Sequence, residues 1–141
     1  MRILGIDVGT KNIGIAVSDT TKKIANGRET IRIKHKNFDE AIDAIASIID
    51  NENIGRIVIG YPKNMNGSIG FQADMSEEFK TKLEKKITCP VVLWDERLTS
   101  KMAHDVMSLG GKPHKKQKEH VDRLAAVLIL QSYLDARKDD E

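Results

Sequence analysis

Acids at the ends of apolar runs are the residues of this chain best placed to do chemistry: Asp7, the adjacent Asp95 and Glu96, and Asp122. Asp7 follows Ile3, Leu4 and Ile6, the Asp95-Glu96 pair follows Val91-Val92-Leu93-Trp94, and Asp122 opens a helical apolar pattern beside Val121. Carboxylates brought together from different elements are what hard divalent cations need. Mg2+ takes few protein oxygens and keeps positions for water and substrate phosphate. Asp122 has the more telling position, because with Ala126 and Ile129 it continues a helical row bordering the buried face, where an acid is costly without positive charge nearby. On spacing alone each acid also has a plainer reading. Asp7 can bond its own turn, Asp122 can favour the helix dipole, and Glu96 can pair with Arg97 at the surface.

Other chemistries have less behind them. Gly5, Gly9 and Gly14 lack the GxGxxG spacing, and no glycine-lysine-serine/threonine string provides a P-loop. His35, His104, His114 and His120 are scattered without an HExxH or cysteine partners, so zinc has little support. Nothing marks Cys89 or any serine as an activated nucleophile. The 141 residues suit one domain, read here as spanning 1–141 with a frayed tail from about 136. With 31% charged residues and a formal net charge of +2, any basic surface must be local. The lone cysteine, and the absence of a signal peptide or membrane-length apolar span, lead to an expectation of a soluble cytoplasmic protein.

The elements that must position these acids alternate. Residues 13–17 give a second apolar run directly after the first, and the two glycines between them predict an antiparallel hairpin with Asp7 beside its turn. A third strand, about 26–33, has a charged outer face suited to a sheet edge. Phe38, Ala41, Ile42, Ile45 and Ile49 fall at helical spacing, with Asn37 as a possible cap. Arg56 to Gly60 has the apolar density of a strand covered on both faces, and it ends at Tyr61-Pro62. The Asn66-Gly67 turn precedes a helix carrying Phe71, Met75, Phe79 and Leu83, and Val91 to Asp95 make a fifth strand containing Trp94 as a core residue. Two helical patterns close the chain. One is capped by Thr99 and ended by Gly110-Gly111, and the other carries Val121, Leu124, Ala125, Leu128 and Ile129. Between them, 112–118 (KPHKKQK) has the composition of a loop.

Four stretches together carry a family resemblance: GIDVGTKNIGIAVSD, GYPKNMNGSIGFQA, WDERLTS and VDRLAAVLILQSYLD. From end to end the chain resembles the YqgF family of RNase H-like nucleases, known as pre-16S rRNA nucleases and Holliday-junction-resolvase-like proteins. The resemblance implies an α/β, RNase H-like fold with a five-stranded mixed sheet, element order β-β-β-α-β-α-β-α-α, and helices on both faces. The strand and helix order read from the sequence agrees with it.

Carried over residue by residue, the resemblance makes Asp7 the central metal ligand, Glu96 the second acid and Asp122 the third. Adjacent strand residues face opposite sides, so one of Asp95 and Glu96 aims at Asp7; the family's motif glutamate matches Glu96. The expected activity is phosphodiester hydrolysis assisted by two Mg2+ or Mn2+ ions about 3.5–4 Å apart that share Asp7. Gly9, Thr10 and Lys11 are expected to meet substrate phosphate, with Arg97 as a second cationic contact and Asn66 in a substrate loop. Lys112, Lys115, Lys116 and Lys118 form a basic arm beside Asp122, although such a run alone more often marks a solvated loop.

The implied substrate is the 5′ end of pre-16S rRNA, with ribosomal precursor particles as possible partners and a monomer or homodimer as the assembly. Branched DNA is the alternative, although junction resolvases of this fold place an acid where this chain reads Gly60-Tyr61-Pro62. A third reading arises because Asp-x-Gly-Thr, residues 7–10, also resembles the phosphate loop of actin-like kinases. Those proteins clamp ATP between two such domains, and this chain has room for one.

Overall fold

The computed structural model describes residues 1–9, 11–34, 37–61, 71–95 and 115–136, with backbone alone at 71–72 and 115–123. Its strands are β1 (Arg2–Val8), β2 (Asn12–Ser18), β3 (Ala25–Arg32), β4 (Ile54–Tyr61) and β5 (Val91–Asp95). Its helices are α1 (Asp39–Asn51), α2 (Phe71–Glu84) and α3 (Lys115–Ala136). The strands form one mixed sheet in the order β3-β2-β1-β4-β5. The expected hairpin is present: β1 pairs antiparallel with β2, and Leu4 faces Val17. β1 also pairs parallel with β4, and β4 with β5, so β1 is central and the charged β3 lies at an edge.

The two-residue pleat of the strands sorts the core into two layers. Leu4, Ile6 and Val8 pack with Ile13, Ile15, Ile57 and Ile59 under α1 and α2. Ile3, Ala16 and Val58 pack on the other face against Ala126, Ile129, Leu130, Tyr133 and Leu134 of α3. Burying each such aliphatic side chain contributes about 1.5–3 kcal/mol. Helices therefore cover both faces, and β4 is buried on both sides as its apolar run predicts.

Local chemistry sets the helix starts and stripes. The N-cap of α1 is Phe38, one residue after the expected Asn37, and it makes no side-chain cap bond; Asn37 Oδ1 accepts the Asp39 amide at 2.9 Å, satisfying one of the donors that a helix start leaves unmatched. In α2, Met75, Phe79 and Leu83 form the buried stripe, and Phe79 meets Phe38 edge-on at 5.1 Å between ring centroids.

The last helix departs from the sequence reading in two ways. It begins at Lys115, so Lys115, Lys116 and Lys118, expected in a loop, occupy its first turns; lysine and glutamine are good helix formers once Pro113 is passed. Its buried stripe is Ala125, Ala126, Ile129, Leu130, Tyr133 and Leu134, whereas Leu124 and Leu128 are half-buried. Leu130 Cβ and the Ala126 carbonyl meet β1 at Gly5, where helix and strand approach closely. The helix expected between Thr99 and Gly111, the Asn66-Gly67 turn and the tail beyond Ala136 lie outside the described residues. Among the described residues no helix is long and apolar enough to cross a membrane.

Candidate active site

Asp7 is the penultimate residue of β1 and is half-buried. It is in phase with Ile3 and Gly5, so the pleat directs it to the α3 face of the sheet. Its neighbours on that face are glycines. Gly5 precedes it by two, Gly14 is its partner on β2, and Gly60 follows Ile59, which is level with Ile6 on β4. These positions leave strand backbone rather than side chains flanking the carboxylate.

The turn beyond Asp7 has a steric requirement. The Gly9 amide donates to the Asn12 carbonyl at 3.0 Å, and a Cβ on Gly9 would lie 2.6 Å from that same oxygen. Glycine is what lets the chain reverse this tightly. Lys11 is exposed at this turn, and its carbonyl accepts the Ile33 amide at 2.7 Å, so its backbone is tied into the sheet at Asp7's end.

The run of α3 over the sheet locates Asp122. A Cβ on Gly5 would fall 2.7 Å from Leu130 Cβ and 3.4 Å from the Ala126 carbonyl, so helix and strand nearly touch there. Tyr133 is level with the start of the sheet, where its hydroxyl accepts from Arg56, the partner of Ile3, at 2.6 Å. α3 thus runs antiparallel to β1. Moving along β1 from Ile3 through Gly5 to Asp7 corresponds to moving back along α3 from Tyr133 through Leu130 and Ala126 to the turn that carries Asp122. The N-terminal part of α3, which includes the backbone of Asp122, therefore lies toward the end of the sheet that carries Asp7.

Three consecutive α3 residues fix this register, and sequence reasoning missed them. Gln131 Oε1 accepts the Ala25 amide at 2.9 Å while its Nε2 donates to the Lys23 carbonyl at 2.8 Å. Ser132 Oγ accepts from Trp94 Nε1 at 3.1 Å, and Trp94 packs edge-on against Tyr133 with centroids 5.3 Å apart. With Tyr133 on Arg56, the helix is hydrogen-bonded to the β3, β5 and β4 sides at once. In the sequence the only signal was an apolar stripe interrupted by polar side chains.

Asp95 separates from Asp7. Leu93 packs with the α1/α2 layer and Trp94 with the α3 layer, so the pleat sends Asp95, beside Tyr61, to the face opposite Asp7. β4 ends on Tyr61, whose hydroxyl bonds Glu77 at 3.0 Å; desolvation first, and then that carboxylate, raise the phenol's pKa and keep it protonated. Glu96, Thr10, Asn66, Arg97 and Lys112 lie outside the described residues, and Lys115, Lys116, Lys118 and Asp122 are given by backbone alone. Among the described residues, no three acid, histidine or cysteine side chains cluster as metal ligands. The described donor at the site, a half-buried carboxylate at the end of a central strand, has the hard oxygen chemistry that Mg2+ or Mn2+ takes.

Comparison with known proteins agrees with this architecture. Residues 1–136 match the RuvX family, described as Holliday junction resolvase. A protein of Geobacillus sp. (strain WCH70), provisionally named a pre-16S rRNA nuclease, is 44% identical over 138 residues, which cover 98% of this chain and 100% of that one. One of the same name from Caldanaerobacter subterraneus subsp. tengcongensis is 46% identical over 140 residues, 99% of each chain. Among solved structures, T. thermophilus RuvC in complex with a Holliday junction substrate superposes with a TM-score of 0.58 at 15% identity, covering 98% of both chains, and shows the same fold. The chain belongs to the RuvX (YqgF) family of nucleases and has the RNase H-like fold of the junction resolvases.

Proposed function

We propose that this nuclease is metal-dependent and trims the 5′ end of the 16S rRNA precursor, with Asp7, Glu96 and Asp122 as its acidic site. The observation that supports the reading is the antiparallel run of α3 over β1, which brings the helix end carrying Asp122 toward Asp7's end of the sheet across a contact too tight for a Cβ at Gly5. A carboxylate from each of these two elements would contribute to one anionic site. The substrate identity rests on the relatives that carry the rRNA nuclease name.

Two Mg2+ or Mn2+ ions, when bound, would supply Lewis acidity toward water and phosphate. Asp7, Glu96 and Asp122 would hold them. The remaining work belongs to the chain. β5 ends on Asp95 with its side chain on the opposite face, and one further residue of pleat would bring Glu96 round to Asp7's side. Gly9 and Thr10 amides, with Lys11, would receive a phosphate oxygen beside the acids, and Arg97 would offset its charge. Lys115, Lys116 and Lys118 occupy the first turns of the helix that carries Asp122, so their charge would lie along the backbone entering the site. Lys112 and Asn66 would extend that contact. A cytoplasmic location, with ribosomal precursor particles as partners, follows from an rRNA substrate, and a single domain would suffice for the chemistry.

Asp7→Asn keeps the size of the side chain but removes its charge. We expect it to abolish Mn2+-dependent cleavage of a 5′-extended 16S precursor, with a loss of at least about 100-fold, while the circular dichroism spectrum is unchanged. Undiminished cleavage by the folded variant removes Asp7 from the mechanism. The resolvase reading is favoured by the family's description and the RuvC-like fold. It requires a two-fold dimer cutting symmetric strands. A monomer that cuts precursor RNA and leaves four-way DNA intact decides against it.

A further inference from the structure

The end of the sheet opposite Asp7 carries a second concentration of positive charge. A cavity of about 130 Å³ there is lined by Met1, Arg2, Ile3, Lys22, Gly55 and Arg56. That is about four times the ~30 Å³ share of one water in the liquid, enough for a phosphate group with part of its hydration. Three lining side chains are cationic and none is acidic. Among the described residues, neither Lys22 nor Arg56 has an ion-pair partner. The nearby acids are already engaged: Glu52 accepts from both Arg2 and Arg28, and Asp19 accepts from the Thr21 hydroxyl and the Lys23 and Ile24 amides.

The backbone is shaped around this cavity. Lys22 has φ 60° and Asn53, which lines the adjoining cavity with Arg2 and Glu52, has φ 56°; among the described residues these are the non-glycine positions in the left-handed region. Asparagine tolerates that conformation, whereas a lysine held in it is costlier. Arg56 is pre-positioned by its 2.6 Å bond to Tyr133, which engages one of the five guanidinium donors.

We propose that Arg2, Lys22 and Arg56 form a phosphate-binding pocket that grips the nucleic acid backbone at a distance from the scissile bond. The proposal rests on the nuclease reading above and deepens it. Arg2 and Ile3 precede Asp7 by five and four residues of β1, so the pocket is about 13–17 Å from the acid at about 3.3 Å per strand residue. Because α3 covers Asp7's face of the sheet between them, a strand reaching both would pass over the helix, a path longer than four or five nucleotide steps at about 3.4 Å each. The pocket would hold the flanking helix of the substrate in place while Asp7's end of the sheet acts on it.

Lys22→Gly removes the cation and relieves the left-handed strain, so it does not threaten the fold. Lys22→Arg keeps the charge. Binding is measured by fluorescence anisotropy against a long RNA duplex and a trinucleotide over a range of salt, in an Asp7→Asn background so that no substrate is consumed. Lys22→Gly is expected to weaken the long duplex about fivefold and lower its salt slope by about 1, with Lys22→Arg restoring both and the trinucleotide indifferent. An unaltered affinity and salt slope overturns the pocket. A Lys22-dependent response of the Gly55 amide to inorganic phosphate, without any change in RNA binding, also overturns it and leaves a site for free phosphate. Because binding is read without turnover, a protein that fails to cut RNA refutes the Asp7 mechanism and leaves this measurement standing.

Discussion

Replacing Gly5 with alanine tests the helix-strand contact on which the acidic site depends. The new methyl would lie 2.7 Å from Leu130 Cβ, so α3 and β1 must separate by about 0.7 Å to reach the 3.4 Å at which ordinary contact begins. Neither atom sits at the free end of a flexible side chain, and the Ala126 carbonyl at 3.4 Å blocks a sideways escape. Overpacking of this kind costs about 1–3 kcal/mol. At about 2.1 cal/mol/K per residue, a chain of 141 residues has an unfolding entropy near 0.3 kcal/mol/K, so Tm should fall by about 3–10 °C. The chain would stay folded at 25 °C, but the same separation shifts Asp122 relative to Asp7. Misplacement approaching 1 Å costs up to about 100-fold in rate, so kcat for RNA cleavage should drop about 10- to 100-fold under conditions where the variant is fully native. Thermal unfolding by circular dichroism and single-turnover cleavage read the two effects separately. A Gly5→Ala variant with wild-type Tm refutes the close approach. One with lowered Tm and wild-type cleavage at 25 °C refutes the dependence of the site on α3.

Two further outcomes follow from the same structure. Tyr133→Phe deletes the acceptor of Arg56 and should cost about 1–3 kcal/mol in urea unfolding at neutral pH; an unchanged midpoint would show that water replaces the hydroxyl at no cost. Asp19 is held down from 3.8 to about 2, chiefly by the Thr21 hydroxyl and then by the Lys23 and Ile24 amides. Its native pKa lies below its unfolded one, so its contribution is complete above about pH 4 and is lost as pH falls toward 2. Asp19→Ala should flatten the pH dependence of stability in that window, and an identical slope in both proteins would rule the linkage out.

Much of the fold was legible because its signals are local. β5 runs from Val91 to Asp95 as read, and the Phe71, Met75, Phe79, Leu83 spacing fixed α2 from its start. The charged outer face of β3 identified an edge strand. α3 was read less well, since which of its many apolar residues face inward depends on where a strand lacks a Cβ. Leu130 meets the sheet at Gly5, and no helical periodicity contains that glycine. The polar links from Gln131, Ser132 and Tyr133 were equally hidden, because each joins residues far apart in sequence. At the site, Asp7 was identifiable as an acid at a strand end. Pleat parity allowed one of Asp95 and Glu96 to face Asp7, and the family's motif glutamate chose Glu96; the two packed layers put Asp95 on the opposite face.

The centre of the sheet has a consequence for when the nuclease's site can assemble. β1 is made first, yet it is bracketed by β2, synthesised immediately after it, and by β4, which arrives only once α1 has been made. The face bearing Asp7 then waits for α3, the last of the described elements to leave the ribosome. Pairings of such long sequence separation form late. A partly translated chain would hold its hairpin but not the surface that carries Asp7, so the order of assembly delays the nuclease's site until the helix that covers the sheet has been made.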